Sequence, residues 1–234
     1  MSIADKLTTI AENVPKVYEA GKTAEWSGFW DGFQQNGNRT SYNYAFFGWT
    51  DEMFYPKYDI ILGRVSSPNV QSQGAFINAK IANLKNRLNE CGVKLVFQAN
   101  QLQSILQGLQ TEEMPELDFT DSGLAFGIFS STFLNCTTKN INLKNIEMRY
   151  ISNPFGCCGN LEEITLEGCV IYSNNFGSLS LSASTKLTKQ SLLNVLNALE
   201  TISTSLTITL GATNLAKLTE EEKAIATDKG WTLV

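Results

Sequence analysis

The stretch Asn153–Gly168, NPFGCCGNLEEITLEG, decides how the chain is read. Its apolar residues Phe155, Cys158, Leu161, Ile164 and Leu166 stand at intervals of 3, 3, 3 and 2. The closing interval of 2 predicts a strand with one buried face, and the residues before it form a return segment that keeps touching the same core. A looser copy lies upstream, with Phe133, Cys136, Ile141 and Leu143 in the corresponding places. Working outward, short alternating strands are expected at KLVFQ (Lys94), ELDFT (Glu116), NINLK (Asn140), EITLE (Glu163), SLSLS (Ser178) and TITLG (Thr207). Their first apolar residues, Leu95, Leu117, Ile141, Ile164, Leu179 and Ile208, are 22, 24, 23, 15 and 29 residues apart. One strand and its return segment cannot bury an apolar side alone, whereas stacked units make a continuous core.

A period near 23 is too short for helical-hairpin repeats and falls within the leucine-rich-repeat range. The series Phe155-x-x-Cys158-x-x-Leu161-x-x-Ile164-x-Leu166 resembles the core of the BspA-like (Treponema-type) leucine-rich repeats. The copy at Phe133 departs from that pattern by one missing residue and by Thr138 or Lys139 where the family has leucine. The likeness spans roughly residues 90–210, and the units at Leu95, Leu117, Leu179 and Ile208 match in their strands alone. IADKLTTIAENVPKVYEAGK near the start and LAKLTEEEKAIATDKGW near the end resemble segments that accompany such repeats in gut Firmicutes and their prophages. The resemblance implies an α/β leucine-rich-repeat solenoid with an adhesion or recognition role at a bacterial surface or on a prophage structure.

The 234 residues carry no histidine, which removes Ser-His and Cys-His nucleophile systems, histidine metal sites and the usual general base near neutral pH. A net charge of −5 is the wrong sign for a phosphate-neutralising surface, so no nucleic-acid partner is expected. The phosphate-cradling, dinucleotide-binding, nucleophile-elbow and calcium-loop motifs are missing, and no cofactor is expected. Five cysteines without a CxxC pair fit buried free thiols better than zinc ligation or a disulfide framework. Adjacent Cys157 and Cys158 would need a distorted backbone to bridge. The carboxylates Asp51, Glu52, Asp118, Glu163 and Glu167 have no spacing that marks a hydrolytic pair.

Two regions are expected. Residues 1–74 read as a helical, aromatic-rich N-terminal cap, and residues 75–234 as the repeat region with a helical C-terminal cap. Ile3, Leu7, Ile10, Val14 and Val17 form a seam behind the N-cap Ser2, with a kink at Pro15. A second stripe runs from Val17 to Phe33, and Asn36–Arg39 turns the chain. Residues 26–58 hold 12 of the 24 aromatics, read as the packed core of this cap, with a stacking platform for sugars as the alternative. Homo-oligomerisation through the N-terminal helices is an alternative use of the seam. MSIADKLTT lacks the basic and apolar regions of a secretory signal, and no apolar run approaches membrane-spanning length. Localisation is therefore cytoplasmic by default, with the cell surface or a phage particle implied by the resemblance.

Further along, Ile77, Ile81, Leu84 and Leu88 predict a helix closed by Gly92. Helices are also expected after Thr188 and after Thr219, the latter with a Thr219/Glu222 capping box in the run Glu220–Glu222, and a last short strand at Trp231. Residues alternating with the buried ones should line an exposed face: Val96 and Gln98, Asp118 and Thr120, Asn142 and Lys144, Thr165 and Glu167, Ser180 and Ser182, Thr207 and Thr209. Rungs about 4.8 Å apart would give a ladder of short polar groups able to bind a glycan or protein at a cell surface. Asp118, Thr120, Asn142, Lys144, Thr165 and Glu167 are the candidate ligand-binding residues. The expected function is non-enzymatic binding. The alternatives are a carbohydrate-active enzyme using surface carboxylates and an assembly protein.

Overall fold

A computed structural model describes residues 45–63, 74–98, 102–122 and 126–234. The N-terminal seam, its proline kink, the second stripe and the 36–39 turn lie outside the described residues. Among those described there are eleven short strands and four helices, a mixed α/β architecture in which every strand pairing is parallel and no barrel closes.

Strands β1 (Ile60–Gly63) and β2 (Leu95–Gln98) form one pair. A three-stranded sheet follows, ordered β3 (Leu117–Asp118), β5 (Asn140–Lys144), β7 (Glu163–Glu167). Leu117 pairs with Leu143 and Ile141 with Ile164, offsets of 26 and 23 residues, long enough for a parallel crossover. Ile141, Leu143, Ile164 and Leu166 point inward and are buried, each worth about 1.5–3 kcal/mol when fully removed from water. A second sheet, not anticipated from the sequence, runs β4 (Phe126–Ser130), β6 (Glu147–Ser152), β8 (Val170–Ile171). The last sheet is β9 (Leu179–Ser180), β10 (Leu206–Thr209) and β11 (Trp231–Leu233), with β10 in the middle.

All six expected strand segments are strands, but SLSLS is not the next rung after EITLE. Beside β7 stands helix α2 (Lys189–Ala198) instead, capped by Thr188. Its Ser191 Oγ accepts from Ile164 N at 3.0 Å, and its Asn194 Nδ2 donates to Ile164 O at 2.8 Å. Two side chains thus satisfy backbone groups that a further strand would have paired, and the edge is closed. This is why the 15-residue interval falls outside the period.

Helix α1 (Leu84–Cys91) starts later than the apolar pattern predicts. Asn83 Oδ1 caps it by accepting from Asn86 N, and Gly92 ends it at φ 66°. Ile77 lies in a turn, and Ile81 follows Lys80, which bridges Thr50 and Gln110. Helix α3 (Ala212–Leu215) was not anticipated, whereas α4 (Glu220–Thr227) carries the expected capping box. Lys189 Nζ lies 2.7 Å from Glu222 Oε1 and joins α2 to α4. Lys229 Nζ donates to the carbonyls of Leu196, Asn197 and Leu199, filling the acceptors left open at the end of α2.

The return segments stack as regularly as the strands. Phe46, Phe76, Leu106, Phe133 and Phe155, all essentially buried, occupy one column. The amides of the first four donate to the segment above. Two positions after each stands a left-handed residue: Gly48, Asn78, Gly108, Asn135 and Cys157, with φ from 55° to 67°. Two positions before the last four stand Gly74, Ser104, Ser131 and Asn153, also left-handed. Glycine and asparagine suit this conformation best, and they hold six of the nine places. Cys136 Sγ donates to Leu106 O at 2.7 Å and Cys158 Sγ to Phe133 O at 3.0 Å, so each thiol bonds to the column residue one layer away.

Position 74 does not separate two cores. Phe46 N donates to Ala75 O at 2.7 Å, the Phe46 and Phe76 rings pack at a tilt of 34° with centroids 4.7 Å apart, and β1 pairs with β2. Residues 45–63 therefore pack as the layer preceding residues 74–98.

Candidate functional site

The candidate residues on β3, β5 and β7 come together in register. Asp118 pairs with Lys144, Lys144 with Glu167, and Asn142 with Thr165. Thr120 lies just beyond β3, where its backbone N and Oγ1 both donate to Asp118 Oδ1, at 2.9 and 2.5 Å. Asn145 Nδ2, which the sequence reading did not single out, donates to Thr120 Oγ1 at 2.6 Å. Lys144 Nζ stands 3.4 Å from Glu167 Oε1. The result is a row of carboxylate, ammonium and carboxylate across three rungs, with amide and hydroxyl beside it. Asp118, Thr120, Thr165 and Glu167 are exposed, and Asn142 and Lys144 half-buried.

The Thr120 hydrogen bonds hold the Asp118 carboxyl below the usual carboxylate range, and the Glu167 carboxylate raises the Lys144 ammonium above its ordinary value. The row thus presents a hydroxyl-bonded carboxylate and a paired ammonium in fixed positions. Beside it, at the step between α1 and β3, a groove of about 420 Å³ has Leu88, Val93 and Leu95 beneath Glu116, Asp118 and Asp121.

The other half of the expected ladder lies elsewhere. Ser180, Thr207 and Thr209 belong to the β9-β10-β11 sheet, Ser182 follows β9, and Val96 and Gln98 sit on β2, which is hydrogen-bonded to β1. The contiguous site is thus the three-stranded part, because α2 ends that sheet after β7.

Two further acidic side chains have structural partners. Asp51 accepts from Ala82 N through both carboxylate oxygens and lies 3.7 Å from Arg87. Glu222 is held by Lys189 and by the Thr219 amide of its capping box, which lower its pKa in that order. Among the described residues no group of three or more Cys, Asp or Glu is placed to hold a metal ion. All five cysteines are free thiols, and burial pushes Cys158 up to about 12. Among the described residues no helix is long and apolar enough to cross a membrane.

The sequence reading also missed a polar cluster on the β4-β6-β8 face. Arg149 lies between the rings of Phe126 and Tyr172, 5.0 and 4.9 Å from their centroids, with Nη2 donating to Glu147 Oε2 at 2.6 Å. The outward Phe126 and Ile128 signal that this sheet presents more than polar groups to solvent.

No protein-family model, no curated protein and no solved structure matches this chain.

Proposed function

We propose that the chain is a leucine-rich-repeat solenoid acting as a non-enzymatic recognition module, which presents the β3-β5-β7 face to a glycan or protein partner at a bacterial surface or on a prophage-associated particle. The observation that carries this reading is the in-register row Asp118, Lys144, Glu167 with Asn142 and Thr165, held by Thr120 and Asn145 in an exposed sheet face. A flat array of fixed donors and acceptors suits an extended ligand, which meets one rung after another. The stacked parallel strands and the repeated left-handed turns support the solenoid. The setting rests on the BspA-like resemblance.

The test is simultaneous replacement of Asp118, Asn142 and Thr165 by alanine, followed by screening against glycans and host-surface proteins. The wild-type chain binds, the triple variant loses binding, and its melting temperature stays nearly unchanged. Unchanged affinity would overturn the placement, and shortened glycan products would show a hydrolase instead.

A further inference from the structure

Strand β6 is irregular in its middle. Ile128 pairs with Arg149 and Ser130 with Ser152, so β6 carries one residue more than β4 over this interval. The bulge places two consecutive side chains, Arg149 and Tyr150, on the outer side, while Ile151 is buried. Tyr150 sits at φ 52°, and its N donates to Asn174 O at 3.3 Å. In the following layer the left-handed residue is Asn175, a type that tolerates the conformation. Tyr150 has no such tolerance, and with 42 % of its surface exposed it is not compensated by burial. A bulky residue held in a costly conformation and still facing solvent points to use.

What surrounds it defines the chemistry. The Arg149 guanidinium is pinned between Phe126 and Tyr172 and bonded to Glu147, and Tyr172 OH donates to the other Glu147 oxygen at 3.3 Å. Arg149 Nε is buried with no hydrogen-bond partner. The ion pair has no net charge, yet it offers donors and acceptors in fixed positions beside an open aromatic ring. A pair without net charge gives a charged ligand little long-range attraction, whereas a pyranose offers an apolar C–H face for a ring and hydroxyls for an Arg–Glu pair.

We propose that Tyr150, Arg149 and Glu147 form a binding site for a neutral sugar residue of a glycan, with Tyr150 as the stacking platform. This site lies on the β4-β6-β8 sheet and stands independently of the β3-β5-β7 reading.

The test uses the full chain on a printed array of neutral and anionic oligosaccharides, followed by calorimetric titration with the best neutral binder. Tyr150→Ala and Tyr150→Gly should each weaken binding at least tenfold. Tyr150→Phe should keep it within about threefold, and the Asp118, Asn142, Thr165 triple alanine variant should leave it unchanged. Glycine relieves the left-handed backbone but forfeits the buried part of the ring, so the melting temperature of Tyr150→Gly is measured beside the titration and its loss of binding is read at a temperature where the variant is folded. Retention of no neutral oligosaccharide, binding confined to anionic ones, or wild-type affinity in Tyr150→Gly would each overturn the proposal.

Discussion

Ser191→Ala removes one oxygen and should cost far more than a surface serine. Ser191 is 3 % exposed, and its Oγ is the acceptor for the amide of Ile164, itself 1 % exposed. Alanine leaves that N–H buried without a partner, a penalty of about 1–3 kcal/mol, and no further strand stands beside β7 to take it. In a chain of this size each kcal/mol moves the melting temperature by roughly 2–4 °C, so a central value near 2 kcal/mol predicts a fall of about 4–8 °C. Thr185→Ala, at an exposed position, should stay within about 0.5 kcal/mol. Thermal melts followed by circular dichroism give the size, and hydrogen exchange gives the place: the Ile164 amide should lose protection while Leu143 and Thr165, which lie within the β5-β7 ladder, keep theirs. A variant that melts with wild type and still protects Ile164 would refute the claim that α2 closes this edge.

Gly168 stands at φ 62°, and a Cβ there would lie 2.2 Å from Asn145 Oδ1, so Gly168→Ala should destabilise by about 1–2 kcal/mol in urea titration. A thiol reagent at pH 7.5 should modify the exposed Cys157 first, leaving Cys136, Cys158 and Cys169 unreacted until denaturant is added, because burial both shields them and raises their pKa. The carboxyls of Glu112, Asp118 and Glu222 are held low by their partners, so their contribution is present above the usual carboxylate pKa and disappears as pH falls through the lowered values. With no histidine to titrate, the melting temperature should be nearly flat from about pH 5 to 8 and drop below about pH 4. A transition near pH 6.5 would contradict this.

How much of this was legible depends on how cleanly each segment alternates. NINLK and EITLE have one apolar and one polar face, so both strands and their outward residues, Asn142, Lys144, Thr165 and Glu167, follow from a period of two. FGIFS carries Phe126 and Ile128 outward as well as Phe129 inward, EMRYIS is broken by its bulge, and VI is two residues long. A search for alternation passes over all three, and with them the Arg149 cluster. SLSLS alternates well, but which strand it pairs with depends on α2 filling the place beside β7, a tertiary matter that no local spacing encodes. The left-handed columns had a readable signal in the glycine or asparagine two residues beyond Phe46, Phe76, Leu106 and Phe133.

Those columns also govern where the chain can change length. Successive column residues are 30, 30, 27 and 22 positions apart, yet the turns around them superpose in hydrogen bonding. The difference is absorbed on the opposite side, where α1 occupies part of the layer between Phe76 and Leu106 and the layer from Phe133 to Phe155 has no helix. Peptides grafted next to α1 should be carried with little disturbance. The same peptides placed between Phe133 and Cys136 would push apart a turn whose neighbours on both sides are already fixed, making the molecule indifferent to length on one flank and rigidly metered on the other.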